Sequence, residues 1–432
     1  MQVDVVFVKS DLFTSLIPKY KDCKVISVED LHSLKFDHYT ELFTTAKHFP
    51  VINSLPAIAT PIPKVHITYF ANTDVDYARL YSSTKCRNIS VIEVPTGTTD
   101  LSKLLFTKIY IEKSHRDNAL RLNNELRSVW NKYFHNYNIK SLTHLFYYQL
   151  TCPFTALSPF IRELESDSMK ALIHEQIEIH SRSKNKGMID KCCEEICAIV
   201  KRFKPSKCTT FPDKPTISYT SNRIKFEDTN YAYTIDIKPD VMDKLRKFYR
   251  GCNFLVDAFT MLYRYQTLGR LGKDTMQLSL PDSYHEDLSK NGYNVECFGS
   301  PINRHFDLLF TAFPDTDMCF GALGSFFDNG YEVLMSGEYS GSCDCPYQIH
   351  AIENCVDLIH KILEESSYKH KFSFALPLWK DADFYTKLKD SKFMKTFEEI
   401  EQDKLKYKLH KVSDDDQPIF PCASLISVQS NE

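Results

Sequence analysis

Two cysteines stand one residue apart in the stretch GSCDCPYQ, at Cys343 and Cys345, with Asp344 between them and Pro346-Tyr347 behind. Two chemistries fit that spacing. Two thiolates are half of a tetrahedral metal site, which needs a second pair of ligands at comparable spacing. Alternatively, Asp344-Cys345-Pro346-Tyr347 is a loop following a strand, with a carboxylate that can accept hydrogen bonds and a ring that can stack on a ligand. Cys297, Cys319 and Cys355 could fold back towards the thiols, but no second C-x-x-C or H-x-H pair is present. The sequence therefore predicts no metal here.

The elements that must position this stretch alternate between strand and helix patterns from about Asp236 onward. YNVECF (Tyr293–Phe298) reads as a strand running into the turn GSPIN, and EVLMSGEY (Glu332–Tyr339) as a strand running into GSCDCPYQ. Apolar residues at 349, 352, 356, 359 and 363 mark one helix face. FSFALPLW (Phe372–Trp379) and PIFPCASLISVQ (Pro418–Gln429) complete the strand patterns. Such alternation predicts a doubly wound α/β sheet, in which ligands sit outside the carboxyl ends of the strands. Both loops are thus expected on one rim, facing one cleft.

Upstream the pattern differs. VDVVFV, KVISV, VHITYFA and ISVIEV predict short strands of a small α/β unit in residues 1–100, with no recognisable chemistry. Residues 101–235 read as mainly helical, closing on a strand–turn–strand at Thr216–Ile237. In KCCEEIC, Cys193 and Cys197 lie one helical turn apart, a core spacing. The rest of the chain bounds function by exclusion. Twelve glycines in 432 residues are few, and neither G-x-x-x-x-G-K-[ST] nor G-x-G-x-x-G occurs. A net charge of −3 leaves nucleic-acid binding to a local basic face. MQVDVVFVKSD has no basic leader, and no run of about 18 apolar residues exists. An intracellular protein, nuclear or cytoplasmic, with its 14 cysteines largely reduced is the expectation.

Three blocks carry a resemblance: ECFGSPIN (Glu296–Asn303), AFPDTDMCFGALG (Ala312–Gly324) and DCPY (Asp344–Tyr347). The last is similar to the [D/N/S]-P-P-[Y/F/W] loop of S-adenosylmethionine-dependent methyltransferases acting on exocyclic amines. In order and spacing, all three resemble the catalytic domain of the phosphorylated-CTD-interacting-factor family of cap-specific adenosine N6-methyltransferases, over about Asp236–Val428. YRYQTLG (Tyr263–Gly269), LSLPD (Leu278–Asp282) and ALPLW (Ala375–Trp379) add weaker likeness.

The resemblance implies a Rossmann-like class I methyltransferase domain over residues 236–432, behind a helical domain with possible RNA contact and the small N-terminal unit. It implies S-adenosylmethionine against Phe298, Gly299, Ser300, Pro301 and Asn303, with Asp315 and Asp317 near its ribose or amino-acid end. Asp344, Cys345, Pro346 and Tyr347 become the catalytic loop. Capped RNA is the implied partner, methylated on N6 of the first transcribed adenosine beside 7-methylguanosine. Candidate RNA contacts are Lys244, Lys247, Arg250, Arg264, Trp379 and Lys380, basic or aromatic residues suited to phosphates and a cationic base. Two letters depart from the family pattern: Asp344 stands for Asn, and Cys345 for Pro, which removes backbone rigidity. A WW module, and with it WW-mediated polymerase binding, is expected to be absent; a protein partner would use the N-terminal unit. Two other readings accompany this one: an inactive homologue serving as an RNA-binding scaffold, and N6-adenine methylation of another nucleic acid.

Overall fold

A computed structural model describes residues 3–8, 24–27, 29–30, 39–45, 65–71, 89–93, 106–134, 167–181, 183–203, 215–251, 253–271, 277–347, 349–400, 408–409 and 423–430. Runs rich in β-branched and aromatic residues form the N-terminal strands. These are β1 (Val3–Val8), β2 (Lys24–Ile26), β3 (Tyr39–Thr45), β4 (Val65–Ala71) and β5 (Ile89–Glu93). All pair in parallel, in the order β2-β1-β3-β4-β5. Four of the five were legible as strands; β3, with the polar sequence YTELFTT, was not.

Helix α1 (Thr107–Tyr133) turns Leu122, Leu126, Val129 and Trp130 onto α2 (Asp167–Ser181) and α3 (Lys186–Arg202). The Asn185 side chain caps α3 by accepting the Met188 N–H at 3.2 Å. Cys193 is buried in this core, 4.0 Å from the Cys197 sulfur, as their spacing required. The segment after it is a three-stranded antiparallel meander, β6 (Thr216–Thr220), β7 (Arg223–Glu227) and β8 (Ala232–Asp236), one strand more than the sequence suggested. Helix α4 (Pro239–Phe248) starts at its proline, and α5 (Phe254–Leu271) follows. Ile109 of α1, Phe226 and Ile235 of the meander, Met242 of α4 and Phe259 and Leu262 of α5 share one buried core, which runs across Asp236.

The remaining chain runs through β9 (Leu278–Ser279), α6 (Asp282–Lys290), β10 (Val295–Gly299), β11 (Leu308–Thr311), α7 (Pro314–Asp317) and α8 (Phe326–Leu334). It continues through β12 (Ser340–Cys343), α9 (Ile349–Glu365), β13 (Lys371–Pro377), α10 (Asp383–Lys389), β14 (Met394–Ile400), β15 (Lys408–Leu409) and β16 (Ala423–Gln429). Six strands form a sheet in the order β11-β10-β12-β13-β16-β14. β10 to β13 are mutually parallel, and β16 runs antiparallel between β13 and β14. The arrangement is mixed α/β and compatible with a Rossmann-like fold.

One strand lies elsewhere than expected. Glu332–Leu334 ends α8, and β12 is the short run SGSC itself. A brief apolar run such as EVLM does not distinguish helix from strand. SGSC, by contrast, is buried throughout, and its small side chains allow close approach: a Cβ at Gly341 would fall 2.8 Å from Phe372 Cδ1 and 2.9 Å from Cys297 Sγ.

The chain leaves β10 to β11 on one side and later returns to β12 on the other, so the strand order reverses between β10 and β12. At such a switch point the crevice opens beyond the strand ends. Register pairs Val295 with Gly341 and Glu296 with Ser342, so the loops after Gly299 and Cys343 share that rim.

Candidate active site

The first rim loop, residues 300–307, joins two parallel neighbours without a helix. Parallel strands usually need roughly a dozen or more residues to connect. Here side chains take over. Asn303 Oδ1 accepts the Ser300 N–H at 2.7 Å, and Ser300 Oγ accepts the N–H groups of Ile302 and Asn303 at 3.2 Å each. Ser300 Oγ also donates to Gln277 Oε1 at 2.7 Å. Arg304 pins the return leg, donating to the carbonyls of Phe306, Asp307 and Phe320 while stacking 3.6 Å from the centre of the Phe248 ring. The Ser300 and Asn303 side chains therefore shape the loop, and Pro301 is buried with them. Phe298 and Gly299 keep partial exposure at the crevice, with Phe298 against Phe326 and Phe327 at 5.1 and 5.4 Å. Gly299 admits no side chain: a Cβ would lie 2.7 Å from Leu309 Cδ1 and 2.8 Å from Glu296 Oε1.

Beyond β11, the FPDTD residues divide. Asp317 is wholly buried and accepts from the Tyr265 hydroxyl at 2.7 Å and Thr316 Oγ1 at 2.9 Å. Burial outweighs these donors and lifts its carboxyl to about 7. Asp315 is part-exposed and pairs with Arg264 at 2.6 Å. Arg264 requires a correction. It is 2% exposed, and it also binds Glu112, 1% exposed, at 2.6 Å. Burial alone would raise Glu112; Arg264, with His115, holds it instead at about 2. A guanidinium enclosed between two carboxylates is a structural tie from α1 to the rim, not an exposed phosphate contact.

In the second loop Asp344 is half-buried, and burial with the nearby Glu296 carboxyl pushes its pKa well above the usual carboxylate range. Cys345 is buried, its thiol turned down to Cys355 of α9, which Cys343 also meets. Cys297 joins through Cys343, so four free thiols cluster under the loop, while Cys319 lies apart against the Thr316 carbonyl. Among the described residues no three ligand side chains are set to hold an ion. Pro346 and Tyr347 are half-buried. The Tyr347 ring packs beside Leu280, Tyr284 and Ala375 and stands edge-on to Trp379 at 6.5 Å. Trp379 is 39% exposed, an unusual surface tryptophan beside the cleft.

The other basic candidates lie on or near α4 and at the β13 end. Lys244 Nζ donates to the carbonyls of Ile302 and Arg304, bracing the first loop. Arg250 donates its backbone N–H to Cys319 and lies against Gly321. Lys247 is exposed near the Phe248 ring, and Lys380 pairs with Glu399 at 2.5 Å. Only Trp379, with Lys380 next to it, adjoins Tyr347.

Three residues that the sequence reading passed over border the rim. Gln277 Nε2 and Thr311 Oγ1 are enclosed and lack a partner, and Glu296 sits under Gly299. The hint was the L-S-L-P segment just after Gln277, and the Glu of ECF. Among the described residues, no helix is long and apolar enough to cross a membrane.

Residues 244–410 match the protein family described as "Phosphorylated CTD interacting factor 1 WW domain". That finding overturns the expectation that this family's WW module is missing; the matched residues run here from α4 to β15 and include both rim loops. The chain is similar to the "mRNA (2'-O-methyladenosine-N(6)-)-methyltransferase" of Mus musculus, 31% identical over 146 residues, and to that of Homo sapiens, 30% identical over 146. Each match covers 32% of this chain and 20% of the relative, so the chain spans about a fifth of the relatives' length. The family match and both relatives point the same way, each over less than half of this chain.

Proposed function

We propose that the chain is an S-adenosylmethionine-dependent methyltransferase acting on N6 of the first transcribed adenosine of capped mRNA. The observation that carries this reading is the β10–β12 switch point, which sets the loop of Phe298 and Gly299 beside the loop of Asp344 and Tyr347. An adenine entering from the Trp379 side would stack on Tyr347 and offer its amine to the Asp344 oxygen and the Cys345 carbonyl. Drawing on both hydrogens restores the nitrogen lone pair that the ring otherwise delocalises.

The rim suits a donor bearing ribose and amino-acid groups, because Gln277 Nε2 and Thr311 Oγ1 are enclosed there without partners. Bound, that donor supplies an electrophilic methyl on a cationic sulfur. Phe298 and Gly299 would hold it through backbone and ring surface, with Asp315 at its outer end. A Rossmann-like class I methyltransferase domain is the corresponding fold assignment.

The test is incubation with labelled S-adenosylmethionine and short RNAs beginning with A, with and without a 7-methylguanosine cap. Cap-dependent label lost in Asp344→Ala supports the proposal. Label indifferent to the cap moves the substrate to another nucleic acid. Tight RNA binding with no transfer makes the chain a scaffold.

A further inference from the structure

The mechanism above leaves one buried carboxyl at the centre of the rim without a role. Glu296 is 5% exposed on β10. Its Oε2 accepts the His305 N–H at 2.8 Å, and its Oε1 lies directly under Gly299, where it would stand 2.8 Å from a Cβ. Register places Glu296 opposite Ser342 on β12. Side chains two apart share a sheet face, so Asp344 follows Ser342 on the side that Glu296 occupies. The same face carries Ser373, paired with Ser342 across β13 and bonded to the Tyr284 hydroxyl of α6 at 2.7 Å. The thiols of Cys343 and Cys345 take the opposite face, against α9. Glu296 thus sits between the loop assigned to the methyl donor and the loop assigned to the amine.

We infer that Glu296 is a positioning residue that acts through Asp344, the two carboxyls forming a pair that shares one proton and takes up the proton the amine loses. This rests on the methyltransferase reading. Two carboxyls on one sheet face, one diagonal step apart in register, repel each other's charge, so they titrate as a pair in two macroscopic steps. Burial raises Glu296 to about 7 against the pull of His305, Arg304 and Lys244, and burial followed by the Glu296 charge lifts Asp344. The groups facing Glu296 are Arg304 and His305 of the crossover, Lys244 of α4 and Asp344, while Cys297, next on its strand, lies on the opposite face; His285 of α6 stacks on His305 at 3.8 Å.

The step balances. The amine lone pair forms the N–C bond as the methyl carbon leaves sulfur, and the C–S electron pair stays on sulfur. Nitrogen, now bearing a fourth bond, releases one proton to the singly protonated pair, which passes from one negative charge to none. The pair later returns the proton to water through the half-exposed Asp344.

Two readouts test this. The first needs no donor: melting temperature between pH 5 and 8 for wild type, Glu296→Gln, Asp344→Asn and the double variant. A shared proton makes the two single effects non-additive; additive effects overturn the pair. The second is the kcat–pH profile on capped RNA. Wild type should show two limbs and Glu296→Gln only the acidic one, with both KM values within about two-fold. Superimposed profiles overturn the inference and leave the methyltransferase reading intact. No transfer by wild type overturns that reading, and additive or non-additive melting then still decides whether the pair exists.

Discussion

The thiol of Cys345 turns away from the crevice and meets Cys355, ten positions on and in the second turn of α9. The position that in related loops is proline is therefore anchored from below rather than stiffened from within. That anchoring leaves the backbone carbonyl of residue 345 for the role proposed for it. Cys345→Pro should keep methyl transfer within a few-fold of wild type, since a fixed φ replaces the thiol contact. Cys345→Gly, which loses both restraints, should lower kcat by about ten-fold or more, with KM for the donor little changed. Steady-state kinetics on capped RNA measures both, and equal rates for Cys345→Gly and wild type would remove the thiol's anchoring role.

Arg264 separates structure from recognition. Replacing it with Ala leaves Glu112 as an uncompensated buried charge, which costs about 3–5 kcal/mol. Urea unfolding should show this as a large drop in midpoint. An exposed phosphate contact would instead lower RNA affinity at unchanged stability. Arg264→Ala with a wild-type midpoint contradicts the ion-pair role.

Tyr347 and Trp379 form the aromatic wall of the cleft mouth. Base stacking contributes about 1–3 kcal/mol per base, so Trp379→Ala should weaken RNA binding by about five-fold or more, seen by fluorescence anisotropy. Donor-product affinity, measured by calorimetry, should stay unchanged. Equal RNA affinity would remove Trp379 from the interface.

Asp317 gives a pH dependence of stability. Its folded pKa is about 7 against an ordinary 3.8, so the folded state binds its proton more firmly. That contribution is fully present below about pH 4 and is lost as pH rises through about 7. Melting temperature should therefore fall between pH 5 and 7.5, and Asp317→Asn should flatten the decline. The amide keeps an oxygen for the Tyr265 hydroxyl, so the fold survives the change. An undiminished slope in the variant assigns the decline to other groups.

Periodicity made most elements legible. The α9 face at 349, 352, 356, 359 and 363 is buried at all but its first position, β16 falls within its predicted strand, and β10 and β13 match theirs to within two residues at each end. β12 was misplaced because four small residues carry no alternation, although their smallness is what allows the sheet to close there. The loops were recognisable as motifs, but the use of their side chains was not. Ser300, Asn303 and Arg264 are polar types that suit a ligand equally well as they suit a turn or an ion pair. Glu296 was hidden for the opposite reason: a lone carboxyl inside a strand takes on meaning only through its cross-strand register with Ser342.

The short crossover after β10 has a consequence for which ligands the rim tolerates. In dinucleotide-binding sheets a helix begins at this point, and its amino end presents a partial positive charge to phosphate. Residues 300–307 offer no such helix, and the buried Arg304 of the loop directs its guanidinium to the carbonyls of Phe306, Asp307 and Phe320. The crevice thereby lacks, at this loop, the helix amino end that phosphate-rich cofactors use. A polar but non-helical turn thus leaves this part of the rim without a ready-made phosphate cradle.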